Sequence, residues 1–248
     1  MKKNRTFTDR MVKSISIISL LILSFTSCEK RDIHQVIREM AEMPVDTAGF
    51  VSTHLETNDF TWVEVDCFAD VTFTQLEAGE PASITIKSSK EVLENVKTKV
   101  EDGKLRVTVN RRYRMPEKAI VVAEIKAPVV NKFVMNGTKC LRIDTLNLSS
   151  PLEVEMDGVG SLVANSITAY ENKFLLNGDG CIAIKDIKTG HLQTALNGGG
   201  SIEIAGACTD IVALLVGEGK MNFSQLKSET PIAQTINGTG TIIVSQQK

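Results

Sequence analysis

Aromatic side chains are scarce in this chain: one Trp and two Tyr among 248 residues. That shortage argues against the stacking platforms that hold single-stranded nucleic acid or sugar rings. An excess of charge is missing too, since the formal net charge is −2, and without a strong field the chain has no means of steering nucleic acid to itself. Histidines number three. His34 and His54 fall in an N-terminal stretch without periodicity, and His191 has no Ser or Cys motif beside it, so each reads as an exposed polar residue rather than a catalytic base. Small and β-branched residues dominate instead.

Long apolar runs are also lacking, apart from Ile15 to Phe25, which is too short to be a permanent membrane-spanning helix. Lys2, Lys3, Arg5, Arg10 and Lys13 precede that run and Thr26-Ser27-Cys28 follow it. A charged, then apolar, then small-residue order is an export signal. It resembles a bacterial lipoprotein signal, which implies cleavage after residue 27, lipid on the Cys28 thiol and attachment to the outer membrane on its periplasmic or cell-surface face. Each buried lipid methylene contributes about 0.8 kcal/mol, so several chains on one residue anchor firmly. Residues 28–58 then read as a lipidated tether, being charged, broken by Pro44 and Gly49, and capable of a helix only over Ile33 to Met43.

What the chain has in abundance is a glycine turn that recurs about every twenty residues. The copies are Asn136-Gly137-Thr138-Lys139, Asp157-Gly158-Val159-Gly160, Asn177-Gly178-Asp179-Gly180, Asn197-Gly198-Gly199-Gly200, Val216-Gly217-Glu218-Gly219 and Asn237-Gly238-Thr239-Gly240. Aligned on the first glycine, three columns are apolar throughout. Two residues before it stand Met135, Met156, Leu176, Leu196, Leu215 and Ile236; four after it, Leu141, Leu162, Ile182, Ile202, Met221 and Ile242. Six after it come Ile143, Ala164, Ile184, Ile204, Phe223 and Val244. The position between the last two columns varies through Arg142, Val163, Ala183, Glu203, Asn222 and Ile243, as a solvent-facing strand position does. A third strand is expected around Leu146, Ile167, Ile187, Ala207 and Leu226.

No helical period separates the turns, so strands are joined by corners. The fold class is all-β: a right-handed parallel β-helix with coils of about 20 residues and Asn-Gly-x-Gly corners. The glycines supply positive φ and the room that stacked corners need. The residue before them, mostly Asn, is placed to form a hydrogen-bonded ladder along the axis. Val65 to Phe73 lays onto the same frame as a first coil, with Cys67 and Ala69 in place of the glycines. Alternating stretches between 84 and 125 continue the β pattern, giving nine or ten coils and a length of about 45 Å at the strand spacing. Cys140 and Cys181 occupy equivalent positions two coils apart, about 10 Å by that spacing, too far for a disulfide; Cys67 and Cys208 read as small apolar fillers.

Candidate chemistry is sparse. A polysaccharide-cleaving β-helix needs carboxylates grouped on one face, but Glu155, Glu203 and Glu218 occupy different columns, as do Asp157 and Asp179. Calcium-binding rolls carry Asp after the glycines, where this chain is apolar, so neither a metal site nor a cofactor is expected. Arg111, Arg112 and Arg114 form the one charged cluster suited to an anionic partner such as a sulphated or uronic-acid glycan. Exposed strand edges at the ends of a solenoid invite pairing, so a homo-oligomer is a possible partner state beside a surface glycan or protein.

Phe60 to Val71, the Asp102-Gly103-Lys104-Leu105-Arg106-Val107 segment, the Ala127-Pro128 step and the serial Asn-Gly-x-Gly turns together resemble the family named putative auto-transporter adhesin, head GIN domain. The family comprises β-solenoid lipoproteins and secreted proteins common in Bacteroidetes. The resemblance covers roughly 59–248, with departures from the usual turn at Lys139 and Val216. It implies a non-enzymatic, lipid-anchored envelope protein that serves in adhesion or as a scaffold, without a catalytic motif; the alternative is a carbohydrate-binding or carbohydrate-cleaving β-helix.

Overall fold

The computed structural model describes residues 39, 43–57 and 59–245. The export segment, Cys28 and His34 lie outside the described residues. The described chain is built almost entirely of strands: β1 Val51–Thr57, β2 Trp62–Asp66, β3 Ala69–Gln75, β4 Ala82–Ser88, β5 Val96–Glu101, β6 Lys104–Val109 and β7 Val121–Ala127, with one short helix, α1 Lys90–Leu93. Then follow β8 Lys132–Asn136, β9 Cys140–Asn147, β10 Leu152–Asp157, β11 Ser161–Thr168, β12 Glu171–Asn177, β13 Cys181–Asn197 and β14 Ser201–Gly217. The series closes with β15 Lys220–Phe223, β16 Leu226–Ser228, β17 Ala233–Gly238 and β18 Thr241–Val244.

Two faces of parallel strands run along the axis. The first stacks β6, β2, β8, β10, β12, the second half of β13, the second half of β14, and β17. The second stacks β7, β3, β9, β11, the first halves of β13 and β14, β15 and β18. The architecture is a parallel β-solenoid with coils of about 21 residues and about five regular turns. Nine or ten sequential coils do not form, because much of the chain before residue 128 goes into an antiparallel cap: β1 pairs with β4, β4 with β7, and β5 with β6. β1 lies inside the stretch expected to be a tether, and pairs with β4 along its whole length.

The register follows the apolar columns. Met135, Met156, Leu176, Leu196 and Leu215 pair in succession and are fully buried, as are Leu141, Leu162, Ile182, Ile202 and Met221. Burying each such side chain contributes about 1.5–3 kcal/mol, and this continuous interior drives the stacking. Val65, Val71 and Phe73 pair with Met135, Leu141 and Ile143, so the 62–75 segment is a coil of the same frame. Its neighbours are not in chain order, however. β6 and β7 stack on one side of it and β8 and β9 on the other, which inserts the earlier coil between two later ones.

The third strand departs from the expected column at one point. Ile184 pairs with Ile204 but Ile187 pairs with Gly206, so the register shifts by one and Ala207 points outward while Cys208 is buried. The column of variable residues on the second face is also less open than expected. Ala183 is buried, and Glu39 lies beside it with Val163 and Glu203 around a hollow of about 440 Å³. Lys139 Nζ donates to the Met43 carbonyl at 3.2 Å on the same face.

Candidate functional site

The corner turns are the repeated feature, and their geometry accounts for both glycines. Gly178 has φ +120, and a Cβ there would sit 2.4 Å from the Gly158 carbonyl oxygen of the coil before. Gly180 has no positive φ, yet its Cβ would lie 2.2 Å from the Gly160 oxygen. The first glycine therefore both turns the chain and lets successive corners touch, and the second serves the close approach alone. Beside them, Asn177 Nδ2 donates to Asp157 Oδ1 at 2.7 Å and Asn197 Nδ2 to Asn177 Oδ1 at 2.8 Å. This run ends at Val216, which has no amide to continue it. These residues are occupied in holding coils together, which leaves the outward faces to meet a ligand.

The most distinctive outward surface lies where β5 turns into β6. Asp102 at φ 52 and Gly103 at φ 71 make the tight hairpin that a strand twist favours. The hairpin register places Lys99 opposite Arg106 and Lys97 opposite Thr108. After β6 the chain turns at Asn110, whose Oδ1 accepts from the Arg112 backbone N–H at 3.1 Å, and Tyr113 Oη donates to Glu91 Oε1 at 3.2 Å. The result is a hollow of about 500 Å³ lined by Lys97, Arg106, Arg111 and Arg112 together with Glu64, Asp66 and the β6 end. Arg114 is exposed nearby but does not line it.

A smaller hollow of about 230 Å³ also borders Arg106 and is lined by Trp62, Lys99 and Lys104. The one Trp does not offer a free stacking face, because Lys104 Nζ sits 3.7 Å from its ring centroid and Lys132 Nζ 4.9 Å. These cations pack on the ring instead. Glu64 pairs with Lys104 and, at 3.2 Å, with Arg106. Burial pushes its carboxyl up, but hydrogen bonding and charge from Lys104 and Arg106 outweigh that and hold it below the usual carboxylate range. Lys97, Arg111 and Arg112 form no ion pair among the described residues, and the four cations of the hollow outnumber its two carboxylates, Glu64 and Asp66.

Sequence reasoning picked out Arg111 and Arg112 in this hollow and missed Lys97 and Arg106. The alternation around Asp102-Gly103, folded as a hairpin, is the signal that could have located them. His191 is not solitary either: Nδ1 lies 2.6 Å from Asp210 Oδ2 and Nε2 3.2 Å from Tyr170 Oη. The coil period brings these three together from successive turns, at an exposed corner. His54 lies on β1, with Nδ1 2.9 Å from Thr85 Oγ1. Among the described residues Cys67, Cys140, Cys181 and Cys208 form no disulfide, and Ser161 stands between Cys140 and Cys181 in the stack. Burial, with Asp66 adding to it, pushes the Cys67 thiol up to about 12, so it stays protonated and unreactive. Among the described residues no three His, Cys, Asp or Glu side chains converge as metal ligands, and no helix is long and apolar enough to cross a membrane.

The family model for the putative auto-transporter adhesin, head GIN domain, matches residues 59–248, which is most of the chain and the whole stack of parallel coils. The chain belongs to this family. Solved structures agree on the fold of the GIN domain. A "putative lipid binding protein" from Parabacteroides distasonis superposes with a TM-score of 0.64 at 14% identity, over 80% of this chain and 97% of that one. A "putative adhesin" from Bacteroides fragilis gives 0.54 at 16% identity, over 78% of this chain and 95% of that one. No curated protein matches the sequence. In this GIN domain, Lys139 and Val216 stand where the usual turn has a second glycine and an Asn; at Lys139 the side chain pairs with the buried Asp70 at 3.3 Å.

Proposed function

We propose that this GIN-domain chain is a non-enzymatic envelope protein, lipid-anchored to the outer membrane through Cys28, that presents the rigid outer faces of its solenoid for adhesion. The observation that carries the reading is the family match across the entire solenoid, 59–248. The N-terminal signal with Cys28 after Thr26-Ser27 supplies the anchor. The repeated residues support it in a second way: corners and core account for them, so recognition is left to the variable outward positions.

A more specific reading of the ligand rests on the hollow beside β6. Lys97, Arg106, Arg111 and Arg112 suit a polyanionic glycan, with the guanidinium groups offering paired donors to carboxylate or sulphate. The test is attachment of cells expressing the full chain to surfaces coated with uronate or sulphated glycan. Intact chain supports attachment and partitions with the outer membrane, while Cys28→Ala leaves the membrane fraction and abolishes attachment. Arg106, Arg111 and Arg112 changed together to Ala weakens retention on the glycan by roughly 5- to 160-fold, at about 0.3–1 kcal/mol for each exposed cation. Equal attachment with and without the chain contradicts the adhesive role. Attachment that the triple variant does not alter contradicts only the glycan site.

A further inference from the structure

The two ends of the solenoid are finished differently. At the β6 end the coil is closed by antiparallel strands and by α1, whose Val92 is buried, and the outer strand β5 carries Lys97, Lys99 and Glu101. Charged edges resist pairing with another chain. At the other end nothing among the described residues covers the last coil. β17 pairs only with β14, and β18 only with β15.

The apolar columns run straight out through this end. Ile236 is 42% exposed and Val244 36%, whereas Leu215 and Phe223 directly beneath them are fully buried. Ile242 is half-buried where Met221 is fully buried. The β17 and β18 edges are also undefended, since no charged residue occurs from Pro231 to Gln247. A free strand edge and an open section of core meet along the uncharged β17 and β18, while the adjoining edge of β16, which pairs only with β14, carries the exposed Lys227.

We propose that this surface is a dimer interface at which two copies of the chain meet end to end, β17 of one copy pairing antiparallel with β17 of the other about a two-fold axis. A second copy fits better than a foreign strand for two reasons on this surface. Self-pairing of an edge strand normally sets like charges against each other, and here there are none to oppose. The same two-fold brings the exposed Ile236 of each copy to the other's apolar end, extending both cores across the junction. Because the β6 end is closed, the contact is isologous and stops at two copies rather than growing into a filament.

The test is the mass of the full chain in detergent by multi-angle light scattering over a concentration series. Wild type runs as a dimer. Ile236→Lys places a charge on the open core, and Thr235→Lys places one on the outward side of the same strand, where folding of the coil does not depend on it. Both run as monomers, with the melting curve of Thr235→Lys verifying that it is folded. A monomeric wild type at every concentration overturns the proposal, as does a dimer unchanged in both variants or an open-ended polymer.

Discussion

Gly178→Ala lowers the melting temperature by roughly 5–20 °C, while Gly137→Ala, the same position in the first regular turn, lowers it by only a few degrees. Both glycines have positive φ, +120 and +69, which for alanine costs about 1–2 kcal/mol. Only Gly178 has a coil corner against it: its Cβ would meet the Gly158 carbonyl oxygen at 2.4 Å and carbonyl carbon at 3.1 Å, whereas nothing lies within 4 Å of one at Gly137. Backbone cannot swing aside as a flexible side chain does, so overpacking adds about 1–3 kcal/mol. The sum, about 2–5 kcal/mol, converts at about 2–4 °C per kcal/mol for a domain of this size. Thermal melting followed by circular dichroism separates the two variants. Equal shifts would show that the glycines serve only to turn the chain and that successive corners do not touch.

The second large effect has the opposite sign. Asn172→Leu stabilises the domain by about 1–3 kcal/mol, the cost of a buried polar group left without a hydrogen bond. Asn172 is fully buried and neither its Nδ2 nor its Oδ1 has a partner among the described residues. Its neighbours in the stack are Leu152 on one side and Leu192 on the other, with Ile211 beyond, so leucine completes an aliphatic column of similar volume. Urea unfolding measures this as a higher midpoint at unchanged slope. A lower midpoint would mean that the amide is held by ordered water within the coil.

Sequence alone made the regular part legible because its signal is local and repeated. Each of the turns from Asn136 to Gly240 carries its own glycine and its own apolar flanks, so the columns align without knowledge of any contact. Val65 to Phe73 could be added because it keeps the same spacing. The order of the coils could not be read, since it depends on pairings such as Trp62 with Lys104 and Trp62 with Lys132, far apart in the chain and equally compatible with either neighbour. The cap was hidden for the same reason: β1 looks like a charged tether until β4 is beside it. Asn172 gave no warning, because a polar residue in a strand normally marks the outside.

The basic hollow was half legible. Arg111-Arg112 stands out as a run, but Lys97 and Arg106 are single charges in alternating strands and join it only through the hairpin. Trp62 illustrates the converse. An exposed-face tryptophan suggests a sugar platform, and only the stacked positions of Lys104 and Lys132 reveal that its ring is already engaged.

If the turns are corners of equivalent coils, one coil is dispensable as a unit. Deleting residues 178–197 joins Asn177 to Gly198, returns Gly198 to a corner stacked on Gly158, and sets Ile202 on Leu162. Thermal unfolding of this shortened chain by circular dichroism is the most direct test of the repeat. Stacked coils predict a β spectrum and a single cooperative transition, with the solenoid shorter by one strand spacing of about 4.8 Å. A chain that has lost its β spectrum and melts without a transition would contradict the equivalence of the coils, and with it the reading that leaves function to the outer faces.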